Sequence, residues 1–386
     1  MKKTKPRALL VATTASMIEQ FNQHNIHVLQ KMGYEVHVAC NFEAGNTISD
    51  DEVVAFRRRL KEANVKSYDL PISRPPLARG KNMYSVLRLR RLIKRYKYDI
   101  IHCHTPMGSV DARIAAYTVR KWHGRVIYTA HGFHFYKGAP LVNKLLYKTV
   151  EHVLAHITDS IVTINEEDYQ SAQNFRMKNE GKVYKIPGVG IDVAKIRESE
   201  ANEDLRKELG LGDFPIILSV GELNDNKNHR VIIEAMQKMH NKNFLYVICG
   251  QGGKYDELKA LAQKNGLENR VRLLGYRDDV LEIMKLASIF VHPSYREGLS
   301  VALMQAMAAG LPVVVSKIRG NVDLIKDGIN GFLCAPDDVN AFALSLDRLL
   351  DDETSRERFM KENLERSKKY DFHQVNMVMQ QIYGDF

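Results

Sequence analysis

The stretch 289-IFVHPSYREGLSVALMQAMAAGLPVVVS-316 contains a strand, a loop, a helix and a second strand in succession. The first apolar run ends at Pro293, Ser300 is a favourable N-cap for the helix, and Gly310 with Pro312 terminates it. Two continuous apolar strands connected through a helix are typical of a parallel sheet with helices on its faces. The stretch therefore predicts an α/β fold.

The same alternation of apolar runs and longer amphipathic stretches continues over nearly the whole chain. Five β-branched runs precede the midpoint and five follow it, at 8–13, 35–40, 99–104, 125–130, 160–164, 216–221, 244–250, 271–275, 289–293 and 312–316. Two such sets predict two doubly wound, Rossmann-like domains facing each other across a cleft. A Pro and Gly cluster, KVYKIPGVGID at 182–192, indicates the hinge. We expect an N-terminal domain at 1–187, a C-terminal domain at 188–370, and a final helix at about 371–386 that packs back on the first domain.

The composition is that of an ordinary globular protein. With 386 residues, 45% hydrophobic and 26% charged, the chain is neither disordered, collagen-like nor a coiled coil. Its four cysteines lie far apart without a Cys-x-x-Cys pair, which predicts buried thiols in a reducing compartment. The N-terminal apolar run is too short for a signal peptide, and polar residues interrupt the longest apolar stretch at 299–315. We therefore expect a cytoplasmic protein.

The net charge of +10 is distributed unevenly. Residues 1–186 carry 30 basic and 16 acidic side chains, a net +14, whereas the remainder carries 26 and 30, a net −4. Residues 74–97 contain nine Lys or Arg and no acid, and Arg88, Arg91 and Arg95 share one face of a predicted helix at 86–96. Since no nucleic-acid motif or base-stacking platform accompanies them, we exclude nucleic acid and expect peripheral binding to the anionic inner face of the cell membrane.

Ligands of doubly wound domains bind in the loops at the carboxyl ends of the strands. In the second half, the amides near Leu299 and Ser300, together with the dipole of the helix that follows, can form an anion site. Glu297 and Gln305 flank that site in sequence. Lys227, in the loop GELNDNK just before another helix, is suited to neutralising a phosphate.

In the first half, YTAHGFHFYKGAP at 128–140 places His131 and His134 in a glycine-containing loop after a strand. A histidine there can act as an acid, a base or a hydrogen-bond donor, and spacing alone does not choose among these roles. The HCHTP segment at 102–106 lacks a nearby carboxylate pair, and no Asp-x-Asp occurs in the sequence. We therefore expect no metal site.

Six segments together resemble a known family. In order along the chain they are AHGFHFYKGAP (130–140), VTINEEDYQSA (162–172), PGVGID (187–192), VGELNDNKNH (220–229), SYREGLSVALMQAMAAGLPVV (294–314) and KIRGNVDLI (317–325). In these segments the sequence resembles the retaining family 4 glycosyltransferases of GT-B fold, and within that family the bacterial capsular and exopolysaccharide type.

The resemblance implies that the second domain binds a UDP-sugar and the first a lipid-linked saccharide acceptor. Lys227 and the amides of Leu299 and Ser300 are then expected at the diphosphate, Glu297 at the donor sugar and His131 at the reacting carbon, so that His131, Glu297 and Lys227 are the catalytic residues. The other residues expected at the donor are Gly221, Glu222, Gly250, Gly298, Gln305 at the ribose, and Tyr276 and Arg277 at the base. The family transfers with retention and needs neither a metal nor a cofactor.

The sequence departs from the family pattern at three places. Gln305 replaces the second glutamate of the motif, Glu222 stands where an arginine is commoner, and TTAS at 13–16 lacks the usual glycine pair. With Glu222 there, Arg296 or Arg319 is expected to assist Lys227 at the phosphates. Two other functions stay open: a nucleotide-sugar epimerase of similar fold, and a nucleotide-binding subunit without transfer activity.

Overall fold

A computed structural model of the protein describes residues 5–73, 79–119, 122–178 and 181–385. These residues form two compact units. The first lies within Met1–Val189 and His373–Phe386, and the second is Gly190–Phe372. The division after Val189 falls inside the Pro and Gly cluster, two residues after the predicted boundary.

The first unit is a seven-stranded parallel sheet with helices between its strands. The strands are β1 (Arg7–Thr14), β2 (Glu35–Asn41), β3 (Lys66–Asp69), β4 (Ile100–His104), β5 (Arg125–Ala130), β6 (Ser160–Thr163) and β7 (Lys182–Lys185). The helices are α1 (Ala15–Phe21), α2 (Gln23–Lys31), α3 (Asp50–Glu62), α4 (Arg79–Tyr96), α5 (Pro106–Tyr117), α6 (Leu141–Ala155) and α7 (Glu166–Ala172). The strand order is β3-β2-β1-β4-β5-β6-β7.

The second unit repeats this design with six parallel strands. They are β8 (Ile216–Val220), β9 (Leu245–Cys249), β10 (Val271–Gly275), β11 (Ile289–His292), β12 (Val313–Ser316) and β13 (Phe332–Cys334). The helices are α8 (Val193–Glu198), α9 (Glu203–Glu208), α10 (His229–Lys238), α11 (Tyr255–Lys264), α12 (Val280–Leu286), α13 (Val301–Ala308), α14 (Asn321–Leu324), α15 (Val339–Asp351) and α16 (Glu353–Ser367). The order is β10-β9-β8-β11-β12-β13.

Both sheets are doubly wound, as the sequence predicts. In each, the first strand lies between the second and the fourth strand of its unit, so that the winding direction reverses between β1 and β4 and between β8 and β11. The central strands are mainly apolar because helices cover both faces of each sheet, and His102 and His104 of β4 are buried exceptions. Loops that leave the two strands at a reversal diverge, and the crevice between them is where such sheets bind ligands.

The last helix, α17 (Phe372–Gly384), returns to the first unit from His373 onward. Its inward face is formed by Val375, Met379, Ile382 and Tyr383, all of which are buried. The Tyr383 hydroxyl is hydrogen-bonded to Nδ1 of His102 at 2.7 Å, so the helix end contacts the middle of β4. The C-terminal segment is therefore part of the core of the first unit.

Helix α4 carries the basic face predicted for membrane binding. Leu89 and Ile93 are buried, while Arg91 and Arg95 are exposed and Arg88 lies half-buried over the Tyr84 ring. Residues 74–78, which belong to the same basic stretch, lie outside the described residues. Within the described ranges no helix is long and apolar enough to cross a bilayer. The four cysteines are all buried, as expected.

Candidate active site

The winding reversal of the second unit brings together two loops predicted to bind the donor. The loop after β8 contains a short 3₁₀ turn, Asp225–Lys227, and the loop after β11 leads into α13. Although 70 residues separate them in sequence, Lys227 Nζ lies 2.6 Å from Glu297 Oε1. Sheet topology thus assembles an ion pair that spacing alone does not reveal.

The Lys227–Glu297 pair is largely shielded from water and has a third member. The side chains of Lys227 and Glu297 are 21% and 13% exposed. Nε2 of buried His292, at the end of β11, lies 3.1 Å from the same Glu297 oxygen. Because a carboxylate only accepts hydrogen bonds, His292 donates from Nε2. The Glu297 carboxylate therefore receives two donors at one oxygen.

Burial and charge act in opposite directions on the Glu297 carboxyl. Burial raises its pKa, but the Lys227 ammonium and the His292 hydrogen bond outweigh this and hold the pKa well below its usual range. Burial also lowers the pKa of His292, although Glu297 opposes that shift. Near neutral pH the cluster is therefore an ammonium, a carboxylate and a neutral imidazole.

Asparagines fix the backbone of the lysine loop. The Asn224 side chain accepts a hydrogen bond from the Lys227 amide at 3.0 Å. Asn228 has left-handed backbone angles, φ 51° and ψ 36°, which asparagine tolerates better than most residues, and its Nδ2 donates to Pro293 O at 3.2 Å. Asn226 Nδ2 donates to Arg296 O at 3.0 Å. The two loops are thus joined by direct hydrogen bonds.

The glycines at the ends of β8 and β9 permit close backbone contact. A Cβ built on Gly250 would lie 1.8 Å from Gly221 O, a distance no side chain can occupy. A Cβ built on Gly221 would lie 3.2 Å from the methylene carbons Cδ and Cε of the Lys227 side chain. Gly221 and Gly250 therefore act through backbone geometry, which lets the Lys227 side chain cross over the end of β8.

Helix α13 begins immediately after the carboxylate. Ser300 is its N-cap, and the Ser300 hydroxyl accepts a hydrogen bond from the Leu303 amide at 3.3 Å. Arg319 Nε donates to Glu297 O at 3.1 Å, which positions a second cation behind the loop. Amides at a helix N-terminus and nearby cations attract anions. The segment 297–300, which includes Gly298, Leu299 and Ser300, can thus receive a diphosphate.

The remaining residues predicted at the donor lie around this cluster with differing exposure. Gln305 is half-buried in the second turn of α13, and Glu222 is exposed beside Gly221. Tyr276 is exposed after β10, while Arg277 forms an ion pair with Asp279. The Gly250 amide donates to Gly275 O at 2.7 Å, which joins the loop after β9 to the end of β10.

His131 belongs to the first unit and forms a row of histidines with His104 and His102; His131 is half-buried and the other two are buried. Its Nε2 lies 3.2 Å from Nδ1 of His104, whose ring centroid is 4.1 Å from that of His102. Burial lowers the pKa of His131 to about 4 and that of His102 to about 3, and it also lowers the pKa of His104. All three rings are therefore neutral near pH 7.

The hydrogen bonds indicate which nitrogens carry protons in this row. Tyr383 donates to Asn25 at 3.1 Å, so its oxygen accepts from His102 Nδ1, and His102 Nε2 accepts from Thr129. Nε2 of His104 is buried without a partner, and a bare lone pair is less costly there than an unpaired N–H. We therefore assign the His104 proton to Nδ1, which donates to His131. His131 then carries its own proton on Nδ1 and can donate it in a hydrogen bond.

Among the residues that the structure describes, no three His, Cys, Asp or Glu side chains are grouped to hold a metal ion. The cation nearest the Glu297 carboxylate is the Lys227 ammonium, 2.6 Å away. In the second unit, Lys227, Arg319 and the α13 amides offer positive charge to an anionic ligand.

Two family profiles match the chain. Residues 7–165 match a family described as glycosyl transferase 4-like, and residues 201–366 match the glycosyl transferases group 1. The chain is also 36% identical over 348 residues to EpsD of Bacillus subtilis (strain 168), a protein named as a glycosyltransferase. That match covers 89% of this chain and 87% of EpsD. The chain belongs to the GT-B glycosyltransferases of the exopolysaccharide type.

Further comparisons agree with this assignment. The glycosyltransferase is 32% identical over 300 residues to an Escherichia coli UDP-Gal:alpha-D-GlcNAc-diphosphoundecaprenol alpha-1,3-galactosyltransferase, covering 75% of this chain and 76% of the relative. The crystal structure of Anabaena HepE in complex with UDP superposes with a TM-score of 0.78 at 19% identity, over 98% of this chain and 100% of HepE. The predicted family and GT-B fold class are confirmed, and none of these relatives supports an epimerase or a subunit without activity.

Several residues of the glycosyltransferase site were not predicted to take part. His292 was assigned only to the end of a strand, although a polar residue that closes an apolar run at the carboxyl edge of a sheet is a usable signal. The contact between Tyr383 and His102 has no signal in sequence because the two residues are 281 positions apart, and His104 stands 27 positions before its partner His131. Conversely, Arg296 contacts the lysine loop through its backbone carbonyl, which accepts a hydrogen bond from Asn226 Nδ2.

Proposed function

We propose that this glycosyltransferase transfers a sugar from a UDP-sugar to a saccharide carried on a lipid diphosphate, with retention of configuration, in capsular or exopolysaccharide synthesis. The observation that carries the proposal is the shielded Lys227–Glu297 pair beside the N-terminus of α13. The printed substrates of the Escherichia coli relative and the UDP bound to HepE support the choice of donor and acceptor class.

In the proposed reaction the bond between the anomeric carbon and the phosphate oxygen breaks. The acceptor hydroxyl oxygen forms the new bond on the same face of the sugar, and its proton passes to the departing phosphate. Negative charge therefore grows on the diphosphate as the bond breaks. Lys227 and the amides of 299–300 stabilise that charge, which is the role of a preorganised electrostatic site.

Two side chains, Glu297 and His131, are proposed to contact the donor sugar. Glu297, kept ionised by Lys227, accepts hydrogen bonds from sugar hydroxyls. His131 donates from Nδ1 to another hydroxyl and stays neutral above about pH 4. Because Lys227 provides the positive charge, we propose that transfer needs no metal ion and proceeds in the presence of EDTA.

The acceptor class also bears on where the enzyme works. A saccharide on a lipid diphosphate lies at a membrane surface, and the first 186 residues carry a net charge of +14. Positive charge attracts a protein to an anionic leaflet. We therefore propose that the enzyme is cytoplasmic and binds peripherally to the inner face of the cell membrane.

The test is transfer itself. The full chain is incubated with a panel of UDP-sugars, a lipid diphosphate-linked saccharide and EDTA, and products are identified by mass spectrometry and their anomeric configuration by NMR. The proposal predicts one donor whose sugar is added with its configuration retained, and no product with Lys227→Met on the same time scale. An inverted product, or release of UDP without transfer to any lipid-linked saccharide, would contradict it.

A further inference from the structure

The N-terminal half of helix α6 extends away from the first unit. All six residues from Leu141 to Leu146 are exposed. Four of them are large and apolar: Leu141, Val142, Leu145 and Leu146 are 82%, 78%, 73% and 55% exposed. Monomeric soluble proteins rarely expose so many contiguous apolar side chains without a partner.

These side chains form one continuous face. At about 100° per residue, Leu141, Val142, Leu145 and Leu146 cover an arc of about 140°. Val153, also exposed, extends the same arc toward the end of the helix. The opposite side of α6 is anchored in the unit through buried residues, which are Glu151, Leu154 and Ala155. The helix is thus held at its C-terminal end and presents an apolar face at its other end.

The exposed charges on α6 and on the segment before it have one sign. Lys137, Lys144 and Lys148 are exposed, and the only acidic residue between 131 and 155 is Glu151. Glu151 is buried and forms an ion pair with buried Arg113 at 2.9 Å. The exposed surface of α6 is therefore apolar and cationic with no accessible carboxylate. This combination is typical of helices that lie in the interface of an anionic lipid bilayer.

The apolar face continues into a cavity. Leu146 and Val150 line a space of about 660 Å³ at the carboxyl ends of β1 and β4, where Thr13 and Thr105 are also part of the lining. Its other apolar walls are Met17, Phe21, Met107 and Val110. A helix face on a bilayer would thus bring this edge of the first sheet, and the cavity beside it, to the lipid surface.

We infer that the outer face of α6 docks the enzyme on the anionic bilayer that carries its acceptor; this inference rests on the proposed function. It replaces the arginine face of α4 as the principal membrane contact. Apolar side chains of α6 enter the headgroup region, and the three lysines bind anionic headgroups at its border.

The test compares two surfaces of the same protein. Leu141→Gln/Leu145→Gln removes apolar surface from α6, and it keeps the net charge unchanged and the helix propensity high. Arg91→Gln/Arg95→Gln is the matched double substitution on α4. Vesicles of phosphatidylglycerol with phosphatidylethanolamine are sedimented with each protein. We expect the α6 pair to lower the partition coefficient by about tenfold or more at low and high salt, and the α4 pair to have a small effect that salt removes. Unchanged binding of the α6 pair, or no vesicle binding by the wild type, would overturn the inference.

A second measurement separates this inference from the proposed function. Transfer is assayed with a vesicle-embedded acceptor and with an acceptor on a short, water-soluble chain. The α6 pair should lose at least about tenfold of its rate on the embedded acceptor only, in proportion to its lost binding. Equal loss on both acceptors would overturn the docking role. If the wild type transfers to neither acceptor but still needs α6 to bind vesicles, the proposed function fails and the docking surface stands.

Discussion

Replacing Lys227 with methionine tests whether the ion pair of the second unit is a donor site. Methionine keeps most of the length and volume of the side chain but removes its charge. In the structure that charge lies 2.6 Å from Glu297 Oε1. The substitution therefore removes one donor to the leaving diphosphate and also leaves the Glu297 carboxylate without its counter-ion.

The two effects have different magnitudes. Loss of one preorganised transition-state donor lowers turnover by about 10²- to 10³-fold. A carboxylate and a phosphate charge about 4 Å apart repel by roughly 4 kcal/mol at an effective dielectric constant near 20. The total loss for Lys227→Met should therefore exceed about 10³-fold at pH 8, since both effects act against the same diphosphate.

The repulsion between the Glu297 carboxylate and the diphosphate gives Lys227→Met a distinctive pH dependence. Without Lys227, only His292 opposes the effect of burial on Glu297, so the pKa of Glu297 rises above its wild-type position. As the pH falls toward 6, Glu297 begins to take up a proton and the repulsion of the diphosphate decreases. The kcat of Lys227→Met should therefore increase toward low pH, whereas the wild type, whose Glu297 stays ionised, should not gain.

The assay measures UDP release and sugar transfer with saturating acceptor between pH 6 and pH 8. This is the range in which Glu297 of Lys227→Met is proposed to begin taking up a proton. Lys227→Arg keeps the charge and should retain more activity than Lys227→Met. Lys227→Met/Glu297→Gln should lose the rise at low pH, and its total loss should be smaller than the sum of the two separate losses. Thermal melting confirms that each variant is folded. Near-normal turnover of Lys227→Met, or losses that simply add in the double variant with no pH effect, would refute the reasoning.

Three further predictions concern close packing, pH and ribose binding. Gly250→Ala places a Cβ 1.8 Å from Gly221 O and should lower the free energy of unfolding by more than about 3 kcal/mol in chemical denaturation. Gly253→Ala is the control, because a Cβ on Gly253 meets open space and should leave the stability unchanged. Equal effects of the two substitutions would contradict the close contact of Gly250 with Gly221. Because burial lowers the folded pKa of His131 to about 4, stability is complete above the unfolded pKa of about 6.5 and falls below it. At pH 5.5 this one histidine should cost about 1.4 kcal/mol relative to pH 8, and His131→Asn should reduce the difference between the two pH values by that amount. Gln305→Glu should bind UDP equally or up to about fivefold more tightly in calorimetry, and clearly weaker binding would remove Gln305 from the ribose.

The doubly wound fold could be predicted because most strands of these sheets are covered on both faces. A covered strand such as β1 or β11 is apolar over most of its length, and this leaves a direct signal in sequence. The strands that were missed lie at sheet edges. β3 has the polar sequence KSYD, and β13 is only three residues long. Edge strands are short and half-covered, so their sequences resemble loops.

The donor site was predicted by resemblance, and its geometry depends on topology. Sequence placed Lys227 and Glu297 in loops after two strands, but only the strand order puts those strands side by side. His292 and the proton assignment of His131 depend on contacts with residues distant in sequence. The apolar face of α6 was overlooked because an amphipathic pattern does not tell which residues are buried until the helix is packed.

A crystal structure of the enzyme with UDP tests the central claim most directly. We predict that the diphosphate binds at the N-terminus of α13 beside segment 297–300, and that Lys227 Nζ, now 2.6 Å from Glu297, lies within hydrogen-bonding distance of a phosphate oxygen. UDP bound elsewhere in the second unit, or at α13 with Lys227 still held by Glu297 alone, would contradict the account.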